Sequence, residues 1–336
     1  MMEYCGGLEK SEPAVRVPFE KGRAAMDAYK WDEAIGHFGE AMKHAAGTEQ
    51  VALHGLVGLC LQTPGRWRQA LASFEESARL AEQFKDKQGK AVAFDNIGVL
   101  WRERGELGKA LESFEAALKL TREIGARREE ASTLGNIGLV RLSQGESKDV
   151  VLKLFEDALK ISQEAGDRHG EASRLNNISL VCTDDKALEY WKRGYKLARE
   201  IGAKRLEAKA LVNKAFLLKD KTKSPDEVFA DNEAALKLYR ETGDKGGEAA
   251  TLANIGGWHM LKGEHEKALS LALAAHGISL ELDLAGSLGP GRFRWLLGAC
   301  LDALGREKFI AECVKAGKPG LEAEKLATEL ESRAEK

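Results

Sequence analysis

An all-α solenoid of stacked helical hairpins is the fold this 336-residue sequence predicts, and three observations predict it. Asparagine recurs at Asn96, Asn136, Asn177, Asn213 and Asn254, at intervals of 40, 41, 36 and 41 residues. The text around it recurs as well: Asp95-Asn96-Ile97-Gly98, Gly135-Asn136-Ile137-Gly138 and Ala253-Asn254-Ile255-Gly256, with a looser copy at Asn176-Asn177-Ile178-Ser179. Each copy also carries two apolar stripes at helical spacing with a turn between them. Self-similarity at a fixed period marks repeats that bury their apolar faces against one another, so a chain of this length can form one continuous unit.

The pattern is densest from Gln88 to Gly125. Phe94, Ile97, Gly98 and Trp101 fall at i, i+3, i+4 and i+7, one face of a helix; Ala110, Phe114 and Ala117 form the facing stripe. Arg104-Gly105-Glu106 separates them as the hairpin turn, and Gly125 is placed to end the second helix. Small residues at Gly98 and Ala110 let the two backbones approach, while Phe94, Trp101 and Phe114 fill the space around the crossing.

These residues resemble the tetratricopeptide repeat family, whose aromatic, Leu-Gly, aromatic, Ala and Phe positions are matched by Phe94, Ile97-Gly98, Trp101, Ala110 and Phe114. Eight copies fit one register. The Gly position falls at Gly22, Gly58, Gly98, Gly138, Ser179, Ala215, Gly256 and Gly298, and the Ala position at Ala34, Ala70, Ala110, Val151, Ala187, Val228, Ala268 and Ile310. Four residues further on stand Phe38, Phe74, Phe114, Phe155 and Trp191, then Asn232, Ala272 and Val314. In this register Trp31 and Trp67 are core residues. The middle copies run near 40 residues where the common unit has about 34, which is similar to the long-repeat branch of LGN/Pins adaptors, kinesin light chains and Rap-type peptide sensors. The resemblance implies a right-handed superhelical α-solenoid of about eight hairpins.

Taken in order, residues 1–14 are expected to be an unstructured start, 15–87 the first two repeats, 88–284 repeats three to seven, 285–317 a degenerate eighth and 318–336 a capping helix. The shortened turn between Leu180 and Ala187 and the polar stretch from Lys219 to Asp226 predict a local bend. Asn232 and Lys214, at normally apolar positions, make repeat six the weakest match, and Ala272 leaves space for Leu271 or Leu273. The final helix carries Ala323, Leu326, Ala327 and Leu330 on one face and charge on the other, the polar-backed cap that a solenoid needs.

Composition excludes several classes. The formal charge is −2 with 31% charged residues, and no basic bias points to nucleic acid. No apolar run approaches the roughly 20 residues needed to span a bilayer, and the start does not read as a secretory signal. Five scattered cysteines without a CxxC pair suggest neither a disulfide framework nor a zinc site and fit a reducing, cytoplasmic setting. His259 and His265, with Glu264 and Glu266 nearby, lack metal-binding spacing. No phosphate loop, dinucleotide fingerprint or nucleophile elbow occurs, so neither catalysis nor a cofactor is expected.

Each recurrent asparagine stands two residues before the Gly position. That is about 100° around the helix from the buried Ile that follows it, a flank that the resemblance places on the concave groove. A carboxamide carries both donor and acceptor and can grip a peptide backbone irrespective of sequence. With helices about 8–10 Å apart, five asparagines would follow on the order of 12 extended residues. Candidate peptide-contacting residues are therefore Asn96, Asn136, Asn177, Asn213, Asn254, Asn176, Arg102 and Phe216, with Asp95, Val99, Glu103, Leu139, Lys209 and Lys219 as groove neighbours. The competing reading is that these asparagines cap a neighbouring helix end or bond the adjacent hairpin's backbone, stabilising repeat stacking. Glu20, Leu56 and Leu296 at the matching positions of copies one, two and eight favour the groove, because a stacking bond would be wanted in every copy. The functional expectation is a non-catalytic adaptor for a protein or peptide partner, with a peptide-responsive sensor or a structural spacer as alternatives and self-association left open.

Overall fold

The computed structural model describes residues 4–63, 65–182, 184–217, 225–281 and 290–334. Helices pair in chain order: α1 (Pro13–Asp27) with α2 (Trp31–Met42), α3 (Thr48–Gln62) with α4 (Trp67–Gln83), α5 (Lys87–Glu103) with α6 (Leu107–Ile124), and α7 (Arg127–Ser143) with α8 (Lys148–Glu164). Three more hairpins follow, α9 (Arg168–Val181) with α10 (Asp184–Glu200), α11 (Lys204–Leu217) with α12 (Pro225–Thr242), and α13 (Lys245–Leu261) with α14 (His265–Glu281). The array ends in α15 (Pro290–Leu304), the short α16 (Arg306–Lys315) and α17 (Gly320–Ala334). Among the described residues there is no strand, and each helix packs chiefly on its chain neighbours. First helices also touch one another directly, α3 on α5, α5 on α7, α7 on α9 and α9 on α11, and so line the inner face of a superhelical solenoid.

One steric rule repeats through the first four hairpins. A Cβ at Gly22, Gly58, Gly98 or Gly138 would lie 2.5, 2.4, 2.6 or 2.4 Å from the ring of Phe38, Phe74, Phe114 or Phe155 respectively. Each first helix thus presents bare backbone to an aromatic ring of the second, and all four rings are fully buried. Turns within hairpins use left-handed glycines such as Gly105 and Gly145, and Gly125 takes the same conformation at the end of α6. At the start of the next hairpin Asp86, Asp167 and Asp244 each accept a backbone N–H from the glycine three residues on, at 2.9, 2.9 and 2.8 Å.

Several expectations are corrected. The start of the chain is structured from residue 4: Tyr4–Lys10 forms a 3-10 helix whose Leu8 is 1% exposed in the core of the first two hairpins. Repeat six replaces apolar packing by paired polar groups rather than losing it. Lys214 and Asp231 form an ion pair at 2.6 Å, and the buried Asn232 donates to the carbonyl of Val228 at 2.8 Å. In repeat seven the room left by Ala272 is taken by Leu296 of α15, whose Cδ2 sits 2.8 Å from where a Gly256 Cβ would be; Leu271 stands further off at 3.5 Å. The eighth copy is out of register by one residue. Phe309 and Cys313 are buried, whereas Val314 is 47% exposed and nothing lies within 4 Å of a Cβ on Gly298. Lys219 and most of the polar stretch before α12 lie outside the described residues.

The ends and flanks are conventional in their energetics. Ala323, Leu326, Ala327 and Leu330 of α17 close the apolar face left by α15 and α16. Cys60, Cys300 and Cys313 are buried, with thiols pushed up to about 12, 12 and 11 by desolvation, which makes them inert fillers. Ion pairs join the start of the first helix to the end of the second within single hairpins at Lys87–Glu123, Arg127–Glu164, Arg168–Glu200 and Lys204–Glu241. They are solvent-exposed and set register more than stability.

Candidate functional site

The inner faces of α3, α5, α7, α9, α11 and α13 enclose a polar lumen, and what encloses it is a contact between distant repeats. Trp31, at the start of α2, donates its indole N–H to the carbonyl of Thr242, at the end of α12, over 3.2 Å. Lys204 lies over the ring of Tyr29 at 5.8 Å, and Tyr29 holds a left-handed conformation, φ 60°, that costs a non-glycine residue strain. Further inside, Arg205 of α11 reaches the hydroxyl of Thr63 at 3.4 Å. Repeat one therefore clasps the junction of repeats six and seven. Trp31 is accordingly half-buried and bridging, not the purely internal core residue its register implied. Trp67 is half-buried too, with the Arg104 guanidinium over its ring at 4.0 Å.

The expected asparagines fall on this lumen but behave differently from one another. Asn136 donates to both oxygens of Asp95, at 3.3 and 3.1 Å, joining α7 to α5; Thr133 donates to the same carboxylate at 2.8 Å. Asn213 donates to the side-chain oxygen of Asn176 at 3.2 Å, and Asn254 to that of Asn232 at 3.4 Å. Asn177, 1% exposed, accepts from Lys209 at 3.4 Å. Four of the five thus bond across helices, to side chains rather than to the backbone or helix ends that the competing reading named. Asn96 is the exception: its side-chain nitrogen is buried and has no partner. The same holds for the side-chain nitrogen of Asn176 and for Nε of Arg102. Phe216 lies in α11, with its side chain outside the described residues.

Sequence reasoning missed the centre of the lumen, Arg174 of α9. Its guanidinium runs over α7 so closely that a Cβ on Gly135 would meet Nη1 at 1.9 Å, and its own Nε is buried without a partner. Gly135 occupies the register position of Asp95 and Asn176, and its bareness there was the one available signal. Around Arg174 the charges interlock. Burial raises the Asp95 carboxyl, against the hydrogen bonds from Thr133 and Asn136 and the charge of Arg174. Glu103 is raised by burial likewise, with Arg102, the Gln62 amide at 3.2 Å and Arg205 opposing. Lys209 is pushed down to about 8, by desolvation first and then by Arg102, Arg174 and Arg205. Arg205 pairs with Asp244 at 3.1 Å and keeps 49% of its side chain accessible.

Elsewhere, His259 pairs with Glu264 at 2.8 Å. Among the described residues no helix is long and apolar enough to cross a membrane.

Residues 48–123 match the tetratricopeptide repeat model, the stretch spanning α3 to α6. That stretch holds two of the four glycine-under-phenylalanine hairpins. Over these two hairpins the fold is that of the tetratricopeptide repeat. Among solved structures, the Rap conjugation gene regulator of plasmid pLS20 in complex with the Phr* peptide is similar over 80% of this chain and 74% of that one, with TM-score 0.66 and 15% identity. A Rap protein complexed with competence and sporulation factor aligns over 84% and 80%, with TM-score 0.65 and 14% identity. Aspartyl phosphate phosphatase F from Bacillus subtilis aligns over 82% and 79%, with TM-score 0.59 and 14% identity. A comparison with curated proteins finds no match. At these identities the likeness is one of fold. In this array Asn96, Arg102, Arg174 and Asn176, each with a buried side-chain nitrogen that lacks a partner, sit on first helices, and Phe38, Phe74, Phe114 and Phe155 sit on second helices.

Proposed function

We propose that the protein is a peptide-responsive, non-catalytic regulator that takes an extended peptide segment of a partner into the lumen. The observation that carries this reading is the set of buried N–H donors without partners on the inner helices, on Asn96, Arg102, Arg174 and Asn176. A donor left unsatisfied in a protein interior costs about 1–3 kcal/mol, and such costs are tolerated where a ligand repays them. Two similar arrays carry bound peptide or factor in their structures, which supports the same use of the inner face here. The clasp between repeats one and six favours a responsive module over a static adaptor, because a ligand seated inside the lumen shares its walls with the closing contacts.

Asn96→Ala and Asn136→Ala test the reading as a pair. Asn96 bonds nothing, so its loss is expected to leave the melting temperature within about 2 °C while weakening binding of a fluorescein-labelled random hexapeptide pool about tenfold by anisotropy. Asn136→Ala is expected to lower stability. Unchanged peptide affinity in Asn96→Ala would contradict the assignment.

A further inference from the structure

A solenoid is held together by contacts between successive repeats, so contacts between distant repeats call for a separate reason. Here they form a seam. One rim is made by Tyr29 and Trp31 at the turn into α2, Thr63 just past α3 and Glu103 at the end of α5; the other is made by Lys204 and Arg205 at the start of α11 and by Thr242, Gly243 and Asp244 between α12 and α13. The Trp31 indole bonds the Thr242 carbonyl, Lys204 lies over Tyr29, and Arg205 reaches the Thr63 hydroxyl. Arg205 also pairs with Asp244, and both charges act on Glu103, which accepts from Gln62 at 3.2 Å.

The two rims fit one another. A Cβ on Gly243 would lie 2.8 Å from the Trp31 indole nitrogen, so the indole sits against bare backbone. Tyr29 meets Trp31 edge-on, with ring centroids 5.9 Å apart, and its left-handed backbone is a strained conformation of the kind that persists where surrounding contacts hold it. The seam is also thin. Two hydrogen bonds and one cation–ring contact cross it among the described residues, whereas chain-neighbouring helices pack along their length. A contact this sparse belongs to the part of a structure that opens locally at low cost.

Behind the seam lies the lumen. Lys209 stands one helical turn beyond Arg205 on the same face of α11, and bonds Asn177 of α9 inside. A superhelix without such a seam leaves its concave groove open along the side; with the seam closed, that side is shut.

We propose that the seam is a side gate, through which the lumen exchanges chain-sized ligands when Trp31 leaves Gly243 and the first hairpin swings away from repeats six and seven. For the identity of the ligand this rests on the peptide-binding reading above; access through the gate is measurable without any peptide.

Lys209 is the reporter, because its amine is pushed down to about 8 and is therefore nucleophilic in mildly alkaline buffer. The full chain is acylated with acetic anhydride or with the bulkier N-hydroxysuccinimide ester of biotin, and modification is followed by mass spectrometry at Lys209 and at the exposed Lys237 of α12 as a control. Trp31→Ala is expected to raise biotinylation of Lys209 about tenfold while leaving its acetylation and both reactions of Lys237 unchanged. Trp31→Phe, which keeps a ring but loses the N–H, should fall between. Thr63→Val loosens the other contact without touching Trp31 and should shift Lys209 in the same direction. Equal biotinylation of Lys209 in all four forms, or no modification of it by either reagent, would overturn the gate. Release of the fluorescein-labelled random hexapeptide pool on addition of unlabelled pool, read by anisotropy, separates the two readings. Faster release from Trp31→Ala supports the gate, and equal release from wild type contradicts it. Binding by no form contradicts the peptide reading and leaves the gate to the labelling result.

Discussion

A half-buried carboxamide bonded to a half-buried carboxylate is a stabilising device whatever else the lumen does. Asn136→Ala would leave Asp95 with Thr133 alone and is expected to cost about 1–3 kcal/mol, measured by urea denaturation. Gly135→Ala should destabilise by a similar amount, about 1–3 kcal/mol, because a methyl group 1.9 Å from the Arg174 guanidinium forces it to move. Lys209 acts in the opposite sense. Its ammonium titrates near 8 in the fold and at its ordinary 10.5 in the unfolded chain. Between those values the unfolded chain binds more protons, so stability rises with pH across that window, and below about pH 8 the fold carries the full cost of the charge beside Arg102, Arg174 and Arg205. Lys209→Met is therefore expected to stabilise the ligand-free protein at pH 7, by at most about 3 kcal/mol, with the gain shrinking as pH rises toward 10.5. A gain that is independent of pH between 7 and 10 would contradict this account of the lumen's charge.

At the scale of the helix pair, one prediction separates hairpins that obey the steric rule from one that does not. Gly98→Ala drives a methyl group to 2.6 Å from the Phe114 ring and should be strongly destabilising; Gly298→Ala meets nothing within 4 Å and should be neutral or stabilising by about 0.5–1 kcal/mol through helix propensity. Thermal melts of the two variants decide it. The pairing of Gly98 with Phe114 was legible in the sequence because both positions recur at fixed spacing. The one-residue slip of α16 was not, because Ile310 and Val314 satisfy the same apolar pattern as the Phe309 and Cys313 that are in fact buried. The asparagine row likewise announced the inner face, but not which carboxamides would be used up between helices. That depends on partners such as Asp95 and Asn232, whose distances are set only by the packed superhelix. Arg174 is a single arginine with no periodic counterpart, so nothing in its own surroundings marked it.

For the whole molecule the decisive feature is the clasp, a contact between Trp31 and Thr242 that no local pattern could announce. Trp31→Ala removes the bridging indole and should open the superhelix, raising the radius of gyration in small-angle scattering while leaving helical content unchanged; an unaltered scattering profile would mean that the array holds its curvature without the clasp. The central claim is that the lumen, and not the outer surface, receives the ligand. Its most direct measurement is photo-cross-linking of a benzophenone-bearing random hexapeptide pool to the full chain, with the attachment sites mapped by mass spectrometry. The account predicts adducts on the inner faces of α5, α7, α9 and α11, lost when excess unlabelled pool is added. Adducts confined to the outer helices α6, α8 and α10 would contradict it.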